Sequence, residues 1–265
     1  MTEIPASLVK ELRERTGAGM MDCKRALVET GGDMDAAVKA IREKGLAQAA
    51  KKAGRETTEG KVVFDLSKET VGAMVAVGCE TEPVSNTADF MVFAQRVLDA
   101  VEKHGPNAVE ALDGERAELI AKLGENVVVR DAVRYEAMDG DVLTAYVHPP
   151  ANKLGVLVHA RGGDGNQAYR LAMHIAASGP LYVSRDDVPE AEINAEKDIL
   201  AKQPDVQDKP EEVRDKIVEG RIRKWLEDIV LDDQAWIHDP NRKVGDVLAE
   251  ANLEVVEFRR LSVAE

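Results

Sequence analysis

Residues 7–45, SLVKELRERTGAGMMDCKRALVETGGDMDAAVKAIREKG, constrain the fold most, because glycines divide them into three short amphipathic segments. This spacing predicts three helices, with the first ending at Thr16-Gly17 and the second starting near Gly19. Asp33 is a favourable N-cap for the third helix, which is predicted to close at Gly45. The apolar positions at helical spacing are Leu8, Val9 and Leu12, then Met20, Cys23 and Leu27, then Met34, Val38 and Ile41.

A bundle of fewer than about fifty residues buries little surface, so we expect it to present a binding surface rather than a catalytic site. Met21 lies about 100° around the helix from Met20, so both side chains can hardly point into one small core. Methionine is flexible and adapts to irregular surfaces, which favours a docking role for this pair. The pattern alone leaves open the alternative that both methionines belong to the core of the bundle.

The charge balance argues against general affinity for nucleic acid. The 265 residues include 35 Lys and Arg against 49 Asp and Glu, a net charge of −14, whereas nonspecific DNA or RNA binding requires positive charge. Aromatic residues make up only 4% of the chain, which argues against base stacking.

The two cysteines, Cys23 and Cys79, form no C-x-x-C motif and fit a reducing compartment. The N-terminus has no secretory pattern and the most apolar window, 71–79, is too short to span a membrane, so we expect a cytoplasmic protein.

Two hairpins, each followed by an amphipathic helix, indicate an α+β core. GKVVFDL and TVGAMVAVGCE predict the first hairpin, and residues 86–105 its helix; 107–123 predict a further helical region before a strand. DVLTAYVH and LGVLVHARG predict the second hairpin, followed by a helix in 165–180. A glycine lies near the start of the second strand in both hairpins, at Gly72 and Gly155. We therefore predict two similar subdomains in which helices pack on antiparallel sheets.

Residues 187–229 predict two antiparallel helices that project as a hairpin, because Pro204 and Pro210 interrupt a long charged, amphipathic stretch. The remaining residues predict a short helix and a strand that returns to the core. The predicted division of the chain is 1–54 for the N-terminal three-helix domain and linker, 55–140 for core subdomain N, 141–186 for the first part of core subdomain C, 187–230 for the coiled-coil hairpin and 231–265 for the return segment of subdomain C.

The sequence contains no recognisable catalytic motif. It has neither a G-x-x-x-x-G-K-[ST] phosphate loop nor a strand-linked G-x-G-x-x-G, and its histidines never take zinc-site spacing. RGGDGNQ at 161–167 predicts a loop at a hairpin end rather than a phosphate cradle, and His174 predicts a core histidine. We expect no catalytic residue, no metal and no cofactor. Two alternatives stay open: an enzyme with its site between the two α+β subdomains, and a small ubiquitin-associated-like adaptor.

Long stretches of the chain resemble one family, bacterial translation elongation factor Ts. LVKELRERTGAGMMDCKRAL followed by GD-x-[DE]-x-A resembles the family's amino-terminal domain, and AKLGENVVVR, GVLVHARG, KPEEVRDKIVEGRIRKW and VGDVLAEANLEVVEFRR follow in the family's order. The resemblance implies an α+β fold with an N-terminal three-helix, ubiquitin-associated-like bundle, a core of two hairpin-plus-helix subdomains and a protruding antiparallel coiled-coil hairpin. It also implies a guanine-nucleotide exchange factor that binds the GDP complex of elongation factor Tu, dislodges magnesium and promotes GDP release, so that GTP can bind.

The resemblance further implies which residues enter the partner. In the family a T-D-F-V segment pushes into the partner's nucleotide domain and helps to dislodge magnesium; the matching residues are Thr81, Glu82, Pro83 and Val84. Glu82 keeps the charge, whereas Pro83 replaces the flat aromatic side chain and fixes φ near about −65°. A plain strand-to-helix loop is the alternative reading of this segment. A later aromatic residue, Phe90, is predicted to lie on the following helix instead.

The remaining implied contacts lie in three places. Arg13, Met20 and Met21 resemble residues that hold a helix of the partner's nucleotide domain, Leu123 and Gly124 resemble a core contact, and His148 resembles a histidine that touches the partner. From the sequence alone, a solvent-exposed turn histidine that makes no contact with the partner is an equally good interpretation of His148. The implied partner is elongation factor Tu, GDP-bound and nucleotide-free, with no direct contact to nucleic acid or membrane. Longer family members continue into a carboxy-terminal module, whose contacts are not expected here.

Overall fold

The chain forms helices and small antiparallel sheets, as the α+β prediction requires. A computed structural model describes residues 4–264; residues 1–3 and 265, at the outer ends of the predicted segments 1–54 and 231–265, lie outside it. The helices are α1 (Ala6–Thr16), α2 (Met20–Glu29), α3 (Met34–Lys52), α4 (Glu82–Ser85), α5 (Ala88–His104), α6 (Asp113–Leu123), α7 (Gly165–Ser178), α8 (Glu190–Ala201), α9 (Pro204–Gln207), α10 (Glu211–Ile229) and α11 (Val244–Glu250). The strands are β1 (Glu59–Lys68), β2 (Val71–Cys79), β3 (Val127–Glu136), β4 (Asp141–Val147), β5 (Leu154–Gly162), β6 (Ala235–Trp236), β7 (Asp239–Lys243) and β8 (Leu253–Ser262).

Helices α1, α2 and α3 pack around a small apolar cluster. Gly17 ends α1 in the left-handed conformation, at φ 64°, which a glycine adopts without steric cost. The Asp33 carboxylate accepts the Ala36 N–H at 3.0 Å and caps α3. These two boundaries confirm the sequence predictions. The buried members of the cluster are Val9, Leu12, Cys23, Ala26, Leu27 and Ala37.

Two predictions for this region are wrong. Helix α3 does not close at Gly45 but continues to Lys52. Gly45 is buried, and a Cβ there would lie 3.2 Å from the Ala121 Cβ, so the glycine allows α6 to approach rather than ending the helix. Met20 does not share the inner face with Cys23: it is 60% exposed, because it opens α2 and its side chain points back past the helix end.

Two three-stranded antiparallel sheets form the centre of the protein. The first has the order β1–β2–β3 and the second the order β4–β5–β8. Alternate residues of β2 point to opposite faces: Val75 and Val77 pack against α5, whereas Met74 faces the second sheet. In β5, Val158 packs against α7 and Leu157 faces the first sheet. The layers are therefore α5 with α6, the first sheet, the second sheet, and α7 with α11.

The glycines that the two hairpins share lie where the sheets approach each other. A Cβ on Gly155, in the second sheet, would lie 2.6 Å from Val62 Cγ1 of the first sheet, and one on Gly72, in the first sheet, would lie 3.3 Å from Leu157 Cδ1 of the second. Side chains at these positions would push the sheets apart. Close packing of sheet on sheet explains why both hairpins carry glycine there.

Helices α8 and α10 pack side by side, and α9 lies at the turn between them. The Arg221 guanidinium bonds Gln203 and Asp205 across this turn. The apolar residues Ile199 on α8 and Val213 on α10 are 58% and 41% exposed. The buried contacts lie nearer the base of the helix pair and are made by Val188, Leu200, Ile222, Leu226 and Val230.

A buried histidine ties β4, β5 and β8 together on the face that meets the first sheet. His159 Nε2 lies 2.8 Å from Asp141 Oδ2, and its Nδ1 lies 3.3 Å from Glu257 Oε1. Asp141 also accepts the Met138 N–H at 3.1 Å. The hydrogen bond to His159, and then the one from Met138, hold the pKa of Asp141 below its ordinary value.

Asp141→Asn is expected to make the free energy of unfolding less dependent on pH in the acid range. A carboxylate whose pKa is lowered by folding stabilises the fold above its unfolded value of about 3.9, and that contribution is lost as the pH falls through the folded value. As the pH falls below about 4, wild type should therefore lose stability more steeply than Asp141→Asn. Urea unfolding at stepped pH measures this, with exposed Asp139→Asn as the matched control. Equal slopes for wild type and Asp141→Asn would contradict the role given to this pair.

Candidate partner-binding surface

The Thr81–Val84 segment leaves the end of β2 and enters a single helical turn. Thr81 has extended backbone angles, φ −133° and ψ 150°, and α4 starts at the next residue. The segment is therefore not the open loop that the sequence suggested, because Pro83 lies in the first turn, where its fixed φ suits a helix. Thr81, Glu82 and Pro83 are exposed, whereas Val84 is half-buried against the core around α5.

Two acidic side chains hold this segment against the turn between α6 and β3. The Glu125 carboxylate accepts the Thr81 N–H at 2.9 Å and the Thr81 hydroxyl at 2.6 Å. In return, Glu80 Oε1 accepts the Asn126 N–H at 2.7 Å. We call Glu80, Thr81, Glu125 and Asn126 the turn clamp. Sequence reasoning missed both carboxylates, because their partners lie 44 and 46 positions away.

The turn clamp brings a second predicted contact beside the first. Leu123 ends α6 and packs half-buried against the same core as Val84. Gly124 follows in the left-handed conformation, at φ 79°, and turns the chain toward Glu125. Leu123 and Gly124 therefore lie next to the Thr81–Val84 segment.

The buried thiol at the end of β2 supports the same turn. Cys79 Sγ donates to the Thr81 carbonyl at 3.2 Å. Burial, followed by the nearby Glu125 carboxylate, raises the pKa of the Cys79 thiol to about 11. The thiol is therefore protonated at neutral pH and serves as a donor rather than a nucleophile.

His148 lies just beyond β4, exposed, with its Nδ1 2.7 Å from the Tyr146 hydroxyl. The hairpin tip that it opens is tied to β1: the Asn152 carbonyl accepts the Val62 N–H at 2.6 Å, and Lys153 pairs with Glu59 at 2.5 Å. Glu59 is the register partner of Cys79, two residues before Thr81. The His148 hairpin tip and the Thr81–Val84 segment therefore lie at the same end of the first sheet.

The three-helix bundle lies beside the same region. A Cβ on Gly17, in the turn between α1 and α2, would lie 3.3 Å from Lys122 Cδ, and Lys122 also pairs with Asp89 at 2.6 Å. Arg13 is exposed one turn before Gly17. Met20 and Met21 follow the turn and are 60% and 68% exposed, so neither belongs to the core of the bundle.

Other titratable groups that the sequence singled out are internal. His174 is fully buried; its Nε2 lies 2.9 Å from Gln234 Oε1 and its Nδ1 accepts the Ile237 N–H at 3.3 Å. Burial lowers the pKa of His174. The core histidine predicted at this position is confirmed. Within residues 4–264, no cluster of His, Cys, Asp and Glu is arranged to hold a metal ion, and no helix is long and apolar enough to cross a bilayer.

The fold and this surface define a mixed α+β protein whose candidate site is an exposed region at one end of the core. A sequence profile of the family described as "Elongation factor TS" matches residues 80–265. Proteins named "Elongation factor Ts" from Thioalkalivibrio sulfidiphilus and Halorhodospira halophila are 47% and 45% identical, each over 99% of this chain and 92% of the relative. One from Yersinia pestis is 42% identical over the whole of this chain and 93% of the relative. The chain is therefore a translation factor by class, and it belongs to the elongation factor Ts family.

Proposed function

We propose that this chain is a guanine-nucleotide exchange factor for elongation factor Tu. It binds the GDP complex, dislodges the magnesium ion and promotes GDP release, so that GTP can bind. The observation that supports this most is the placement of Thr81–Val84, Leu123–Gly124 and the His148 hairpin tip at one end of the core. Membership of the elongation factor Ts family supplies the partner.

An exchange factor contributes binding energy rather than a chemical step, so it is not an enzyme in the usual sense. It accelerates release because it binds the nucleotide-free partner better than the GDP-bound one. A rigid support serves this purpose, since an insert held in place loses little conformational freedom on binding. Glu82 is the charged group of the insert, and Pro83 stiffens it in place of an aromatic wedge.

The chain divides by role along its length. Residues 1–54, a ubiquitin-associated-like bundle with its linker, dock on the nucleotide domain of the partner through Arg13, Met20 and Met21. Subdomain N, 55–140, carries Thr81, Glu82, Pro83, Val84, Leu123 and Gly124. Subdomain C, 141–186 with 231–265, carries His148, and 187–230 forms a projecting coiled-coil arm. The chain works in the cytoplasm and contacts neither nucleic acid nor membrane directly.

The proposal can be tested by comparing how GDP and this chain affect each other's binding to elongation factor Tu. The factor by which GDP weakens binding of the chain to elongation factor Tu must equal the factor by which the chain weakens GDP binding. Calorimetric titration of the chain into nucleotide-free and GDP-bound elongation factor Tu measures the first factor. An affinity that does not change with GDP would contradict the proposal. The isolated chain should bind no GDP in the same instrument.

The docking role of the bundle predicts a loss of affinity for the double variant Arg13→Ala with Met21→Ala. Both side chains are exposed, so the fold should remain intact, and the affinity should fall by at least about fivefold, which corresponds to about 1 kcal/mol. Met138→Ala is a matched control, since Met138 is 66% exposed at the opposite end of the first sheet. Wild-type affinity for the double variant would rule out this docking role.

A further inference from the structure

We propose that Glu125 is a positioning residue for nucleotide exchange and acts through Thr81. The inference rests on the proposed function, in which Thr81–Val84 enters the partner. Glu125 itself touches no reacting group; its role is to fix the direction in which α4 leaves the core. The turn clamp supplies the geometry for this role.

The hydrogen bonds of Thr81 differ from those that a threonine at the N-cap of a helix normally makes. A threonine before a helix usually accepts an N–H of the first turn with its side-chain oxygen. The Thr81 side chain makes no such cap bond to α4; its hydroxyl donates to Glu125 at 2.6 Å instead. The Thr81 N–H donates to the other oxygen of the same carboxylate at 2.9 Å. Hydrogen bonds to an ionised acceptor are the stronger kind, so this residue is held from another part of the chain.

The second half of the turn clamp fixes the position of Glu125. Glu80 accepts the Asn126 N–H at 2.7 Å and pairs with Arg55 at 3.3 Å, and the Asn126 amide donates to the Arg55 carbonyl at 3.0 Å. Each turn thus supplies an acceptor for the backbone of the other. These side chains lock the two turns together at Thr81, the first residue of the exposed segment.

The clamp holds Thr81, the first residue of the proposed insert, and Glu82 follows just outside it. The carboxylate of Glu82 makes no hydrogen bond or ion pair with any residue from 4 to 264, and it is exposed. A free carboxylate next to a clamped residue is held in place without being neutralised. Loss of the clamp should therefore misplace the insert while leaving its charge and the docking surfaces unchanged.

GDP release from elongation factor Tu, measured by stopped flow over a range of chain concentrations, separates positioning from docking. Glu125→Ala is expected to lower the maximal release rate by at least about fivefold, since small misplacements of a working group are costly. The half-saturating concentration should stay within about twofold of wild type. Glu125→Gln, which keeps one acceptor, should recover part of the rate. Glu136→Ala, an exposed glutamate at the far end of β3, should behave as wild type.

Thr81→Val tests the same bond from the other side and keeps the test valid if Glu125→Ala folds poorly. Thr81→Val should also lower the maximal rate, and the double variant with Glu125→Ala should be no slower than Glu125→Ala alone, because both remove one interaction. Hydrogen exchange gives a direct readout: the Thr81 amide should exchange about tenfold faster in Glu125→Ala than in wild type.

Three outcomes would overturn the inference: a wild-type maximal rate for Glu125→Ala, an effect confined to the half-saturating concentration, or fully additive losses in the double variant. A wild-type chain that leaves GDP release unchanged contradicts the proposed function itself. A wild-type chain that accelerates release, together with an equally fast Glu125→Ala, contradicts only the positioning role.

Discussion

Phe90→Ala is expected to lower the free energy of unfolding by about 3–5 kcal/mol, the range for phenylalanine truncation in a core. Phe90 is fully buried between α5 and the first sheet. A loss of this size is a large share of the roughly 5–15 kcal/mol that stabilises a typical domain. Urea unfolding followed by circular dichroism measures it.

The neighbouring residue provides the control for this prediction. Met91 is 38% exposed on the same helix, so Met91→Ala should change stability by no more than about 0.5 kcal/mol. Equal stabilities for Phe90→Ala and Met91→Ala, together with slower GDP release for Phe90→Ala alone, would place the Phe90 ring in the partner rather than in the core.

Glu82→Ala is expected to slow GDP release more than any other single change in the exposed segment. In the proposed function its carboxylate competes electrostatically near the partner's magnesium site, so removing it should lower the maximal rate by about tenfold, which corresponds to about 1.4 kcal/mol. Pro83→Ala should stay within about twofold, because alanine also suits the first turn of a helix. Glu69→Ala, an exposed glutamate in the turn between β1 and β2, is the matched control.

Pro83→Phe distinguishes two accounts of the departure from the family motif. If the partner is adapted to a small, stiff insert, phenylalanine should leave the rate unchanged or reduce it. If the chain simply lacks a wedge, the same substitution should speed release above wild type. We expect the first result, since Pro83 is accommodated in α4 and the charge at Glu82 is retained. A wild-type rate for Glu82→Ala would remove this segment from the mechanism.

Local features of the fold were predictable from the sequence. The cap at Asp33, the stop at Gly17 and the placement of Phe90 on α5 depend on residues within a few positions of each other. Gly45 misled the prediction because the same residue type serves both as a helix end and as a place of close helix contact, and only tertiary structure decides between them. The continuous apolar run of β2 indicates a strand buried on both faces, yet it does not say that a second sheet covers one of them.

The candidate site was predictable only as separate pieces. The family resemblance indicated Thr81–Val84, Leu123–Gly124 and His148, but not that they share one end of the first sheet. Their proximity depends on pairs distant in sequence, such as Glu125 with Thr81 and Lys153 with Glu59. A carboxylate has no periodicity that reveals a partner 44 or 94 positions away. The glutamate of the GEN triplet after Leu123 was the available signal, and it identifies no partner by itself.

Release of a fluorescent GDP analogue from elongation factor Tu, with and without this chain, tests the central claim most directly. The analogue is bound to the cognate elongation factor, chased with excess unlabelled nucleotide, and followed by stopped flow as the chain concentration is raised. The account predicts that release accelerates and saturates, and that substoichiometric amounts of the chain suffice because it is regenerated after each exchange. A release rate that stays at its intrinsic value at every chain concentration would contradict the account.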